Sequence, residues 1–130
     1  MILLDTHVVV WLALDPGKIS KTAKAAIQQS RDLGQGLAIS DISLYEIAIM
    51  HRKSRVILNV SLETFLDEVE QRFVVLPIAG RVCVRTLSLP SAYPEDPADR
   101  IIGATALVEG LELVTADRQI RNSKTISVIW

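Results

Sequence analysis

Short, continuously apolar runs alternate along the chain with longer stretches whose apolar residues recur at helical spacing. MILL (1–4), LAIS (37–40), FVVLPI (73–78), LELVT (111–115) and ISVIW (126–130) read as strands buried on both faces. Between them, SKTAKAAIQQSRDLG predicts a helix with Ser20 as N-cap and Gly34 as its stop. LYEIAIMHRK predicts a second helix, SLETFLDEVEQR a third capped by Ser61, and GRVCVRTLSL a fourth despite its two valines. DPADR then opens a helix that runs to about Gly110. There Asp96 takes the N-cap, Pro97 the first helical position, where its missing N–H costs nothing, and Asp99 the first turn, where a carboxylate suits the helix dipole. Apolar strands separated by helices predict an α/β fold of three layers, a central parallel sheet flanked by helices.

At 130 residues the chain fits one domain, 1–130, able to bury roughly two-thirds of the surface its unfolded form exposes. With 49% apolar residues, 22% charged residues and a net charge of −1, it has neither a basic tail nor an acidic solvating segment. Charge therefore does not announce a nucleic-acid partner. Cys83 is the only cysteine, which excludes an internal disulfide and predicts a reduced, buried thiol in a cytoplasmic protein. The apolar start MILLDTHVVVWLAL has no positive leading region, is interrupted by Asp5 and His7, and is too short to span a bilayer, so no membrane association is expected.

In open parallel sheets, ligands bind beyond the carboxyl ends of the strands, near the point where strand order reverses. Asp5 follows the first strand directly, and Asp117 follows the fourth, just after the residues TA. Glu46 lies about a turn and a half into the helix after the second strand, and Asp99 in the first turn of the helix leading to the fourth. Residues three, four and seven beyond Asp99 are Ile102, Gly103 and Ala106, so its side chain projects along the face expected to pack on the sheet. Glu46 has Ile42, Ile49 and Met50 on its own stripe. Crowded carboxylates repel, and a divalent cation reverses the sign of that interaction. Oxygen ligands without a Cys/His cluster point to Mg²⁺ or Mn²⁺ and away from zinc. Such ions suit phosphodiester hydrolysis.

Each residue also has a structural reading. Ser43-x-x-Glu46 matches a capping box; Asp99 serves as a dipole partner; Asp5 and Asp117 serve as turn formers after strands. The conjunction of the four favours a site. Asp15, before Pro16-Gly17, belongs to a turn, and His7 reads as a packed or capping histidine. The basic run HRKSR (51–55) complements a helix C-terminus or touches a polyanion, and Arg100 contacts a phosphate or another subunit. Trp11 and its neighbours read as core, with part of the surface free for a partner.

The set MILLDTHVVVW, AISDISLYEIAI, DPADRIIGATAL and LVTADRQI resembles, in order and over essentially the whole chain, the successive motifs of PIN-domain proteins, and within them the VapC-type toxins of prokaryotic toxin–antitoxin pairs. The resemblance implies an endoribonuclease dependent on Mg²⁺ or Mn²⁺, commonly a homodimer, held inactive by a VapB-type antitoxin whose C-terminal segment packs over the toxin. It carries catalytic and metal-binding roles onto Asp5, Glu46, Asp99 and Asp117, with Thr6 and Thr115 as supporting hydroxyls. Two positions depart from it: Ala98 replaces a common aromatic residue, and His7 stands where other branches carry Asn or Ser. A dehalogenase-like phosphatase needs an aspartate where His7 stands, and a receiver domain needs an acidic pair after the first strand. A non-catalytic PIN-like scaffold is the remaining alternative.

Overall fold

The computed structural model describes all 130 residues. Strands β1 (Ile2–Leu4), β2 (Leu37–Ser40), β3 (Val74–Leu76), β4 (Leu113–Val114) and β5 (Val128–Ile129) form one parallel sheet in the order β3-β2-β1-β4-β5. The helices are α1 (Thr6–Leu14), α2 (Lys21–Asp32), α3 (Ile42–Arg52), α4 (Leu62–Arg72), α5 (Gly80–Thr86), α6 (Pro97–Glu109) and α7 (Arg118–Ser123). Parallel neighbours cannot be joined by tight turns, so helices carry the chain back between strands and cover both faces.

Period-two alternation along the strands divides the core in two. Leu4, Ile39 and Val114 face a cluster that contains Val8 and Val9 of α1, Ala23 and Ile27 of α2, and Phe65 and Val69 of α4. Their predecessors Leu3, Ala38 and Leu113 face the other side, where Ile102 and Ala106 of α6, Ile120 of α7 and Tyr93 pack. These side chains are essentially inaccessible to solvent, which is why the strands read as unbroken apolar runs.

The helix ends follow local chemistry. Ser20 accepts from the Ala23 N–H, Ser61 from the Thr64 N–H and Asp96 from the Asp99 N–H. Gly110 ends α6 at φ 66°, a left-handed conformation that a β-carbon disfavours. The run after Asp5, read from sequence only as core, is helix α1, with Val8 to Val10 buried, Trp11 and Leu12 half-buried and Leu14 exposed.

Cys83 is exposed, contrary to the expected buried thiol. The helix α5 is short and buries only Val82, so the next position on its surface faces outward. No helix is long and apolar enough to cross a membrane.

Ile39→Ala removes a side chain that is 0% exposed in β2, and is expected to lower stability by about 2–5 kcal/mol. Leu87→Ala, at a position 87% exposed, is expected to change it by less than about 0.5 kcal/mol. Urea unfolding of the two variants checks both.

Candidate functional site

Strand order reverses between β1 and β4, and acids leave both strands at their carboxyl ends. Asp5 caps α1, its Oδ1 accepting from the Thr6 N–H at 2.8 Å. Across the reversal, the Thr115 hydroxyl donates to Asp5 Oδ2 at 2.7 Å. Thr115 Oγ1 in turn accepts from the Asp117 N–H at 3.1 Å, and Asp117 Oδ1 caps α7 by accepting from the Ile120 N–H at 2.9 Å. A chain of short bonds thus ties the two strand ends together.

Glu46 is tied to the same edge from α3. The Thr6 hydroxyl donates to Glu46 Oε1 at 2.5 Å and lies 2.8 Å from Ser43 Oγ. Thr6 has one hydroxyl proton, so with that proton given to Glu46 it is Ser43 that donates to Thr6. The capping box is not formed: Asp41 is the N-cap of α3 and Ser43 lies inside the helix, fully buried. The sheet-facing positions of α3 are Ser43 and Ile47, while Ile42, Ile49 and Met50 beside Glu46 are only half-buried. The Glu46 stripe therefore floors an open groove instead of packing on the sheet. For Asp99 the phase argument holds, with Ile102, Gly103 and Ala106 all buried.

A cavity of about 400 Å³ is lined by Asp5, His7, Trp11, Glu46, Asp96, Asp99, Ala116 and Asp117. It brings together the four acids selected from sequence and adds Asp96, which caps α6 and faces the cavity as well. Arg100 is not among the lining residues; its guanidinium donates to the Thr86 carbonyl at 3.4 Å, at the end of α5. Trp11 packs half-buried against the core with part of its surface free, as expected, whereas His7, read as packed or capping, is exposed. His7 is exposed at the cavity, its ring centroid 5.9 Å from that of Trp11.

Burial raises the carboxyl pKa of Asp5 despite the opposing hydrogen bond from Thr115, and raises that of Glu46 despite the one from Thr6. Asp99 is pushed from its ordinary 3.8 to about 7, by burial first and then by the charges of Asp5, Asp96, Asp117 and Glu46. No Lys or Arg relieves this charge: the two ion pairs of the protein, Lys18–Asp15 and Arg81–Glu109, lie elsewhere. The four acids offer oxygen donors only and pair with no Lys or Arg, His7 alone among basic side chains opposing the rise at Asp5 and Glu46, which is the chemistry that suits a hard divalent cation. No three of the acidic, histidine or cysteine side chains stand as a ready-made ligand set. Asp5, Glu46 and Asp117 hold protein donors in this arrangement, so gathering round an ion requires side-chain rotation.

Two further features escaped the sequence. Tyr93 is 0% exposed and its hydroxyl donates to the Asp99 carbonyl at 2.8 Å. Beside the acidic cavity lies a larger groove of about 820 Å³, mostly apolar, floored by Val10, Trp11, Ile42, Ile49 and Met50 and edged by Lys18, Lys53 and Arg55. His7, Trp11, Glu46 and Asp96 line both spaces. Ile42, Ile49 and Met50 on the α3 stripe were a usable signal for the groove; a lone tyrosine in a loop was none for Tyr93.

The raised value of Asp99 sets a pH dependence. The folded metal-free protein keeps a proton there that the unfolded chain releases, so stability falls as pH rises between 3.8 and about 7 and stays low above. Asp5 and Glu46 act with the same sign. The melting temperature without metal is expected to drop between about pH 4 and about pH 7, and Asp99→Asn to flatten that drop while leaving the protein as stable or more stable at the upper pH. Mn²⁺ should stabilise the native chain and have less effect on the variant.

The family model of the PIN domain matches residues 2–124. Ribonuclease VapC22 of Mycobacterium tuberculosis is 34% identical over 123 residues, which are 95% of this chain and 92% of that protein. Among solved structures, DNA-bound VapBC from Salmonella typhimurium superposes with a TM-score of 0.72 at 18% identity, over 98% of this chain and 97% of that one. VapBC2 from Rickettsia felis gives 0.71 at 18%, over the same shares, and a toxin–antitoxin complex from Klebsiella pneumoniae 0.68 at 22%, over 100% and 97%. The strand order, the acids at the reversal and these likenesses agree: the chain belongs to the PIN-domain family.

Proposed function

We propose that this chain is a Mg²⁺- or Mn²⁺-dependent endoribonuclease, the toxin of a VapBC-type pair, acting on RNA in the cytoplasm. The observation that carries the reading is the gathering of Asp5, Glu46, Asp99 and Asp117 on one cavity with no Lys or Arg paired to them. The relative named a ribonuclease supports the reaction class, and the structures solved as VapBC and toxin–antitoxin complexes support the pairing.

These four carboxylates would hold the ion, which when bound supplies the positive charge that offsets them and stabilises the charge developing on a scissile phosphodiester. The chain's own residues prepare the site. Thr115 and Thr6 hold Asp5 and Glu46 in defined rotamers through single short hydrogen bonds. Asp99, whose carboxyl accepts no hydrogen bond from the protein, keeps both oxygens available to a ligand. Its value near 7 lets it hold a proton at neutral pH until a cation displaces it.

The groove beside the cavity supplies a place for the antitoxin segment. Its apolar floor and its edge of Lys18, Lys53 and Arg55 suit an amphipathic helix with acidic flanks. Tyr45 and Ile57 stand 63% and 86% exposed along it, large apolar surface that a partner would cover. For a second copy of the chain, α5 offers Val84 and Leu87, exposed 70% and 87%.

Purified protein, freed of any partner and incubated with total RNA, is expected to give discrete new ends in Mg²⁺ or Mn²⁺, none in EDTA and none with Asp99→Asn. Absence of both cleavage and Mn²⁺ binding would move the reading to a non-catalytic PIN scaffold. Separately, Ile57→Asp is expected to leave RNA cleavage intact and to weaken capture of the co-expressed antitoxin by more than about tenfold, the cost of burying an unpaired charge. Unchanged capture would remove the groove from the interface.

A further inference from the structure

We infer that Tyr93, seated on Gly103, positions Asp99 for ion binding. The inference rests on the acidic-site reading above and names a residue outside the carboxylate set. Tyr93 lies in the loop between α5 and α6, completely buried, and its hydroxyl donates to the main-chain carbonyl of Asp99 at 2.8 Å. The Asp99 N–H is held from the other side by Asp96 Oδ2 at 3.1 Å. Both main-chain polar groups of this one residue are therefore fixed by side chains, in the first turn of a helix, where ends otherwise fray.

Gly103 makes the arrangement possible. A β-carbon built on it would stand 2.2 Å from the Tyr93 hydroxyl oxygen and 2.6 Å from the ring carbon that bears it. The ring is completely buried, so a β-carbon there would force it and its neighbours to shift. Glycine is unfavourable in a helix interior relative to alanine, so its presence one turn beyond Asp99 needs a local reason. The seat for Tyr93 is that reason. The hydroxyl itself also needs one, since phenylalanine would fill nearly the same space without burying a polar group. Its acceptor is the carbonyl of the acid whose carboxyl makes no bond of its own. The direction of that carboxyl is thus inherited from a backbone that Tyr93 and Asp96 hold.

The test is Mn²⁺ binding by titration calorimetry on the full chain, free of partner, for the native protein, Tyr93→Phe, Gly103→Ala, Asp99→Asn and Ile27→Val. Ile27 is buried on the opposite face of the sheet, and its variant serves as a control for loss of stability alone. Tyr93→Phe is expected to weaken Mn²⁺ binding by about 10–100-fold, the usual effect of losing a group that orients a ligand. Its circular dichroism should be native, and kcat on RNA should fall with KM unchanged. Gly103→Ala should reproduce the loss; if it does not fold, Tyr93→Phe decides alone. Native affinity in Tyr93→Phe, or an equal loss in Ile27→Val, overturns the inference and leaves Tyr93 a packing residue. A native protein that binds no Mn²⁺, or Asp99→Asn binding like the native, overturns the acidic-site reading and this inference with it, a pattern distinct from failure at Tyr93 alone.

Discussion

Like charges crowded at one edge of a parallel sheet are what this fold has to accommodate. Two carboxylates ~4 Å apart repel by on the order of 4 kcal/mol at an effective dielectric of about 20, against a typical total stability of ~5–15 kcal/mol. The protein meets this with oriented dipoles. Asp5, Asp96 and Asp117 are the N-caps of α1, α6 and α7, so three acids face the positive ends of helices. Hydroxyls of Thr6 and Thr115 support Glu46 and Asp5. Asp99, in the first turn of α6, is neither an N-cap nor an acceptor from a hydroxyl, and it is the acid pushed up to about 7.

The same residues therefore close helices and line the candidate site at once. Asp96 shows why the two readings of DPADR were never exclusive: its carboxylate closes the helix and faces the acidic cavity, and by capping α6 it fixes where Asp99 begins. The strand-end acids do likewise. A parallel sheet whose strands feed directly into helices places N-caps at its carboxyl edge, and acids are good N-caps. Few additions separate such an edge from a cation site.

Much of this was legible beforehand because burial imposes period. Apolar runs marked all five strands, caps at Ser20, Ser61 and Asp96 marked helix starts, and the spacing from Asp99 to Ala106 marked its inward face. What failed were statements needing tertiary partners. Ile49 and Met50 looked inward but border an open groove, because Ser43 and Ile47 take the sheet-facing positions of α3. Cys83 is exposed because α5 is short and offers only Val82 to the core. The pairing of Tyr93 with Gly103 spans a loop and a helix interior, and no local periodicity encodes such a fit.

His7, Trp11, Glu46 and Asp96 form a wall common to the apolar groove and the acidic cavity. A molecule lying in one space touches side chains that shape the other, so an occupant of the groove that moved them would reshape the acidic cavity. By reciprocity, whatever factor an occupant of the groove imposes on cation affinity in the cavity, the cation must impose on that occupant. Were the cavity to take a cation, the concentration of that cation would become a term in how tightly the groove is filled.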